Sequence, residues 1–257
     1  MNVMARTKRT NTPEPVSTDR QEPNAVLSPL VIRMAGEAEN QVELAVGTVM
    51  RRDAAAAEKV SANDRSLDNL ELKIESEAQR LLMRQQPDQS DLHEILGAMR
   101  IAGDLERIGD YAANIAKRVR PLANFRDLPR IGAVERMGRL VRELLSAVVD
   151  AYSRRDLAGA IDAWHRDEDL DDLYTSLHRE VLTYMMEDPR NITGYIHLLF
   201  IAKNLERIGD HATNIAEVVH LILRGEPFDM ARPKGDDTSH QLVRPKDKIT
   251  TKDEEKA

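Results

Sequence analysis

Apolar residues recur every three or four positions over most of the chain. Met34, Ala38, Val42, Ala45 and Val49 form one such series, and Val60, Leu67, Leu70, Ile74 and Leu81 form a second. That rhythm belongs to amphipathic helices. Ser28-Pro29 reads as a cap followed by proline in the first turn, so a helix A is predicted from there. Asp53 is placed to cap a helix B, which Pro87 ends. A helix C is predicted from about Ser90 to Arg120, stopping at Pro121. Period-two alternation is not convincing anywhere, so no sheet is expected.

The same three elements occur twice. Met34, Val42 and Ala45 align with Met137, Leu145 and Val148 at an offset of 103, and Arg51-Arg52-Asp53 aligns with Arg154-Arg155-Asp156. Pro87 aligns with Pro189. Ile101–Ala116 reads IAGDLERIGDYAANIA and Ile201–Ala216 reads IAKNLERIGDHATNIA, identical at twelve of sixteen positions. The expected fold is all-α, two tandem pseudo-symmetric three-helix bundles. Residues 28–120 make the first unit, 121–131 a linker and 132–224 the second. The polar, proline-bearing segments 1–27 and 225–257 are expected to be disordered extensions. Short connections between helices favour antiparallel packing.

Each repeated segment keeps Glu, Asp and Asn at four-residue spacing: Glu106, Asp110, Asn114 and Glu206, Asp210, Asn214. Such residues share one helical face. If helices B and C form an antiparallel hairpin at Pro87, positions equally far from the turn lie level. Residue 66, between Asp64 and Asp68, lies 21 before Pro87, and residue 108, between Glu106 and Asp110, lies 21 after it. Asp64 is then set opposite Asp110, and Asp68 opposite Glu106. In the second half Asp167 and Asp171 meet Asp210 and Glu206 by the same reasoning around Pro189. Four level carboxylates repel by about 1 kcal/mol per pair at 4 Å even in water. Protons, the neighbouring Arg107 and Arg207, or hard cations bound by oxygen (Mg, Mn, Ca or iron) would relieve this. Gly109 and Gly209 precede the two aspartates and leave room for close helix approach or for metal and water. Asn114 and Asn214, level with Val60 and Ala163, read as interhelical hydrogen-bond donors.

Composition narrows the choices. The 257 residues carry a formal charge of −7, which argues against nucleic-acid binding. Aromatic residues are 4%, so the core is aliphatic. There is no cysteine, which excludes disulfides and thiolate sites. No signal-peptide core is evident, and no apolar run approaches the ~18 residues of a membrane span. The expectation is a cytoplasmic protein without membrane insertion. Neither GxSxG nor a Walker motif occurs, so no enzyme is expected. Trp164 reads as a packing anchor. His93, His165 and His178 read as surface or boundary residues.

At LERIGDYAANIA and LERIGDHATNIA the chain resembles the PhoU family of phosphate-uptake regulators. The likeness spans 28–224 and includes the paired halves, Pro87 and Pro189, and the RRD junctions. It implies a six-helix protein, often a homodimer, whose E/DxxxD motifs hold metal, in some members multinuclear iron. It also implies a negative regulator of phosphate uptake and starvation signalling. The partners it implies are the ATPase subunit of the phosphate ABC transporter and a phosphate-sensing histidine kinase. The metal positions carry over as Asp64, Asp68, Glu106 and Asp110, and as Asp167, Asp171, Glu206 and Asp210. Asp104 against Asn204 and Tyr111 against His211 suggest unequal sites. Two rivals stand beside this reading. A metal-free helical adaptor would use the acids as a docking surface. A di-iron carboxylate enzyme needs Glu-x-x-His from two helices, but Glu217-x-x-His220 occurs once, with Arg120 at the position equivalent to His220.

Overall fold

The computed structural model describes residues 22–62, 65–84, 86–125 and 131–229. Among these there is no strand. In chain order the helices are α1 (Pro23–Arg51), α2 (Ala54–Ala62), α3 (Arg65–Arg84), α4 (Gln89–Lys117) and the single turn α5 (Val119–Leu122). They continue as α6 (Ile131–Arg154), α7 (Leu157–His165), α8 (Asp167–Glu187) and α9 (Ile192–Arg224). A 3₁₀ turn, Pro189–Asn191, precedes α9.

In the second half helix B of the sequence reading is two helices, and in the first half its two described stretches, α2 and α3, flank residues 63 and 64, which lie outside the described residues. In the second half the chain turns at Arg166, between α7 and α8. Trp164 anchors the end of α7. Its side chain is buried and its indole N–H donates to Glu217 of α9 at 3.1 Å. Anchoring there lets α7 and α8 each lie against α9 on its own axis. The break also sets Asp167, Glu168 and Asp169 in the first turn of α8, where the positive end of the helix dipole favours carboxylates.

Three boundaries differ from the expected ones. α1 begins at Pro23, and Pro29 lies inside it. The earlier start buries Leu27 and lets Ser28 share a hydrogen bond with the buried Tyr152. The linker begins with α5, which buries Val119 and Leu122. The C-terminal extension is packed at its start, where Phe228 meets the rings of Trp164 and His220 edge-on. Residues 1–21, 126–130 and 230–257 lie outside the described residues.

The RRD junctions behave alike. Arg52 and Arg155 adopt the left-handed conformation at φ 53° and 55°, unusual for a residue with a Cβ. The following aspartates cap the next helices: Asp53 accepts from the Ala56 amide and Asp156 from the Gly159 amide. Each junction is held further by its arginine, Arg52 on the Phe125 carbonyl and Arg155 on Glu94. α4 starts with a reciprocal cap between Asp88 and Asp91.

α4 and α9 form the centre. Gly97 of α4 meets Val218 and Ile222, Asp104 meets His211, and Arg118 meets Phe200. Rising numbers on one helix meet falling numbers on the other, so the two run antiparallel. α3 packs on α4 as α8 packs on α9. A methyl at Gly109 would overlap Leu67 Cδ1, and one at Gly209 would overlap Leu170 Cδ2. The space these glycines leave is therefore occupied by a leucine in each half.

Gly109→Ala and Gly209→Ala should each cost about 1–3 kcal/mol in overpacking, offset by about 1 kcal/mol of regained helix propensity, for a net loss of roughly 0–2 kcal/mol. Chemical denaturation would measure it. Adding Leu67→Ala to Gly109→Ala should give less than the sum of the two single losses, and strict additivity would refute the contact as the cause.

Candidate metal centres

The first cluster sits where α3 and α4 face each other. Asp68 is exposed, while Glu106 and Asp110 are half-buried. Burial raises the pKa of Glu106, Asp110, Glu71 and Asp68 raise it further, and Arg107 opposes them. Glu71 is raised by burial, then by Glu75, Asp68 and Asp110 against Arg107. Asp68, Glu71, Glu75, Glu106 and Asp110 thus share one field. Arg107 reaches Glu106 at 3.6 Å and Asp110 at 3.5 Å. With 60% of its side chain exposed, such a pair contributes at most about 1 kcal/mol. Asp64 lies outside the described residues.

The second cluster, between α8 and α9, is deeper. Asp167 is 2% exposed, and Asp171 and Glu206 are each 5% exposed. Asp167 Oδ1 lies 2.9 Å from where a Gly209 Cβ would stand, beside Asp210. Glu206 is pushed up to about 7, first by burial and then by Asp210 and Asp171, while Lys203 pulls it down. Lys203 Nζ is 2.8 Å from Glu206 Oε1 and 4.8 Å from the centre of the Tyr174 ring. Glu206 Oε2 is buried with no hydrogen-bond partner among the described residues.

The hairpin register of the sequence reading corresponds to these placements. Asp68 acts on Glu106, Asp171 on Glu206, and Asp167 stands beside Gly209. The side chains are neighbours and not a finished cage: among the described residues no three acidic or histidine groups converge on one ligand point. All donors are carboxylate oxygens, which suit hard cations. In the second cluster the buried, unpartnered Glu206 Oε2 is of a kind a divalent cation could use, and the first cluster shows no such oxygen among the described residues.

Sequence reasoning missed Glu71, Glu75, Lys203 and Tyr174. Glu71, Lys203 and Tyr174 each lie three residues from a motif acid, and Glu75 lies seven from Asp68, all on the same helical faces. At the repeat-equivalent positions Glu71 corresponds to Tyr174, Glu75 to His178 and Lys203 to Gly103. A search for residues shared by the halves discards all of them.

The positions that distinguish the halves lie across the α4–α9 seam. His211 Nδ1 is 2.7 Å from Asp104 Oδ1, and the Asn214 amide donates to the same oxygen at 3.3 Å. The Tyr111 ring lies 5.5 Å from that of His211, with Arg207 5.7 Å from the Tyr111 ring. Asn214 is thus an interhelical donor, toward α4 and not toward α7. Asn114 accepts from Lys117 in its own helix. Glu217 and His220 are used locally: Glu217 accepts from Trp164, and His220 Nδ1 lies 3.2 Å from the Glu226 carbonyl.

The PhoU domain model matches residues 31–119 and again 134–219. A phosphate-specific transport system accessory protein PhoU homolog of Caulobacter vibrioides (strain NA1000 / CB15N) is 48% identical over 213 residues, covering 82% of this chain and 93% of that protein. A PhoU homolog from Xylella fastidiosa (strain Temecula1 / ATCC 700964) is 49% identical over 210 residues, covering 82% and 87%. The crystal structure of PhoU from Pseudomonas aeruginosa superposes with a TM-score of 0.76 at 36% identity, covering 79% of this chain and 98% of that one. The phosphate transport system regulatory protein PhoU from Streptococcus pneumoniae gives 0.74 at 27% identity, covering 79% and 96%. These relatives are accessory proteins, not enzymes. Two matched domains and close identity over most of the length place this chain in the PhoU family.

Proposed function

We propose that this protein is the accessory regulator of a phosphate transport system and restrains uptake and starvation signalling when phosphate is plentiful. The close identity to phosphate-specific transport accessory proteins over 82% of the chain carries this reading. Its partners are the transporter's ATPase subunit and a phosphate-sensing histidine kinase. It acts as a cytoplasmic homodimer. Among the described residues no helix is long and apolar enough to cross a membrane, which suits docking on membrane-associated partners without insertion.

In this reading the carboxylates are cation sites. Asp64, Asp68, Glu106 and Asp110 hold one cation, and Asp167, Asp171, Glu206 and Asp210 hold another. A bound Mg, Mn or iron ion supplies positive charge and a link between facing helices. The chain's own residues do the rest. Leu67 and Leu170 seat α3 and α8 on the central helices, and the acids next to those contacts hold the charge that a cation would satisfy. A stiffer α3–α4 or α8–α9 hairpin gives partners a fixed surface.

Protein stripped of metal should gain stability when millimolar Mn²⁺ or Mg²⁺ is added. At a hundredfold excess over Kd the gain is about 2.7 kcal/mol, or roughly a 5–10 °C rise in Tm for a chain of this size. An unchanged Tm at every concentration would remove the cation part of the proposal and favour the metal-free adaptor. Pull-downs with the ATPase subunit and the kinase, at high and low phosphate, test the regulatory part. Retention of neither partner under any phosphate condition would end it.

Proton linkage gives a further expectation. Glu206 ionises near 7 when folded and near 4.5 when unfolded, so between those values the native state binds more protons. Its contribution to stability is present below about pH 4.5 and is lost as pH rises toward 7. In metal-free protein, melting curves from pH 5 to 8 should show Glu206→Gln gaining on the wild type as pH rises. Parallel curves would contradict the burial assigned to this carboxyl.

A further inference from the structure

Past α9 the chain folds back on itself. Gly225 reverses it at φ 77°, and its amide donates to the Leu221 carbonyl at 2.8 Å. Glycine makes that left-handed ending without a Cβ penalty. Glu226 then turns its carbonyl to His220 Nδ1 at 3.2 Å. A carbonyl only accepts, so that nitrogen carries the proton. Two residues on, Phe228 sets its ring edge-on to His220 at 4.9 Å and to Trp164 at 4.8 Å. Residues 225–229 thus form a short strap laid over α7 and α9.

Trp164, beneath the strap, is 1% exposed although it stands in the last turn of α7. Glu217 of α9 takes its indole N–H, and Phe228 and His165 stand edge-on to its ring. Three residues later the chain has turned at Arg166 and set the buried Asp167 beside Gly209. The α7–α8 turn is therefore fastened to α9 at two points, Trp164 on Glu217 and Asp167 by Gly209. These points are eight residues apart on α9, about 12 Å along its axis. The pair of Arg166 with Glu143 of α6 is partly solvated and adds little. The chain runs on for 28 residues beyond Asp229, so a pull on that extension acts first on the ring contacts of Phe228.

We propose that residues 225–229 are a regulatory strap: closed on Trp164 and His220 they lock the α7–α8 turn that seats Asp167, and opened they release it. Load on the C-terminal extension is thereby coupled to the second acidic cluster. The coupling needs no bound cation, so it stands or falls apart from the cation reading. In the first half Ser61, Lys117 and Arg120 stand at the positions of Trp164, Glu217 and His220, and α4 runs on into α5. The device belongs to the second half alone.

Trp164 is the only tryptophan in the chain, so its fluorescence reports the strap directly. In full-length Phe228→Ala, acrylamide quenching of Trp164 should rise by at least about twofold, since each aromatic contact favours closure by about two- to tenfold. With both contacts gone, amide hydrogen exchange over residues 163–171 should quicken by about five- to a hundredfold. Exchange in α3 and α4 should stay as in the wild type. Gly225→Ala touches neither ring but strains the left-handed reversal, and it should act in the same direction by about fivefold or more. Unchanged quenching in both variants overturns the strap. Stronger quenching with unchanged exchange over 163–171 overturns the coupling to Asp167. Faster exchange spread equally over α3 and α4 is a general loss of stability and overturns it as well.

Discussion

A leucine seated on a glycine sets the geometry of each half. Leu67 fills the space beside Gly109, and Leu170 fills the space beside Gly209. Removing a Cβ from the middle of a helix costs about 1 kcal/mol in propensity relative to Ala. The return is a fully buried leucine and a close approach of α3 to α4 and of α8 to α9. The acids sit one residue from the glycines and on the same turns as the leucines. The contact that brings the helices together therefore also brings the carboxylates together. Packing free energy holds like charges close, and the clusters retain unmet electrostatic demand.

How that demand is met differs between the halves because their depth differs. The first cluster is open enough for water and a solvated arginine to screen it. The second has three acids almost out of solvent, and there the protein supplies Lys203 and a raised carboxyl. The turn at Arg166 contributes to this depth. It starts α8 at Asp167, so that buried acid lies in the first turn, at the positive end of the helix dipole. Trp164 secures that turn from the far side by its bond to Glu217.

Much of this was legible in the sequence. Pro87 and Pro189 marked the hairpin turns, and the regular rise of a helix carried the register over twenty residues to the facing acids. The duplication of LERIGD marked the third helix of each half, and the structure sets those two helices, α4 and α9, against each other at the centre. The division of helix B was not legible. Arg166 stays in right-handed helical backbone, and no glycine or proline marks the turn. The start of α1 was misplaced because Ser28-Pro29 satisfies local capping rules, while burial of Leu27, a tertiary effect, extends the helix. Lys203 and Glu71 were hidden for another reason. Repeat alignment keeps what the halves share, and these residues carry what they do not.

The pair of Asp104 with His211 across the central seam has a consequence for how such a chain arose and what it can no longer do. Two identical halves meeting along antiparallel central helices would set each Asp104 against a Tyr111, or each Asn204 against a His211. The present protein has one carboxylate facing one imidazole, so its halves complement each other and neither complements itself. A gene encoding either half twice would lose that pairing of a carboxylate with an imidazole. The single chain has become, in effect, an obligate heterodimer with its two subunits fused.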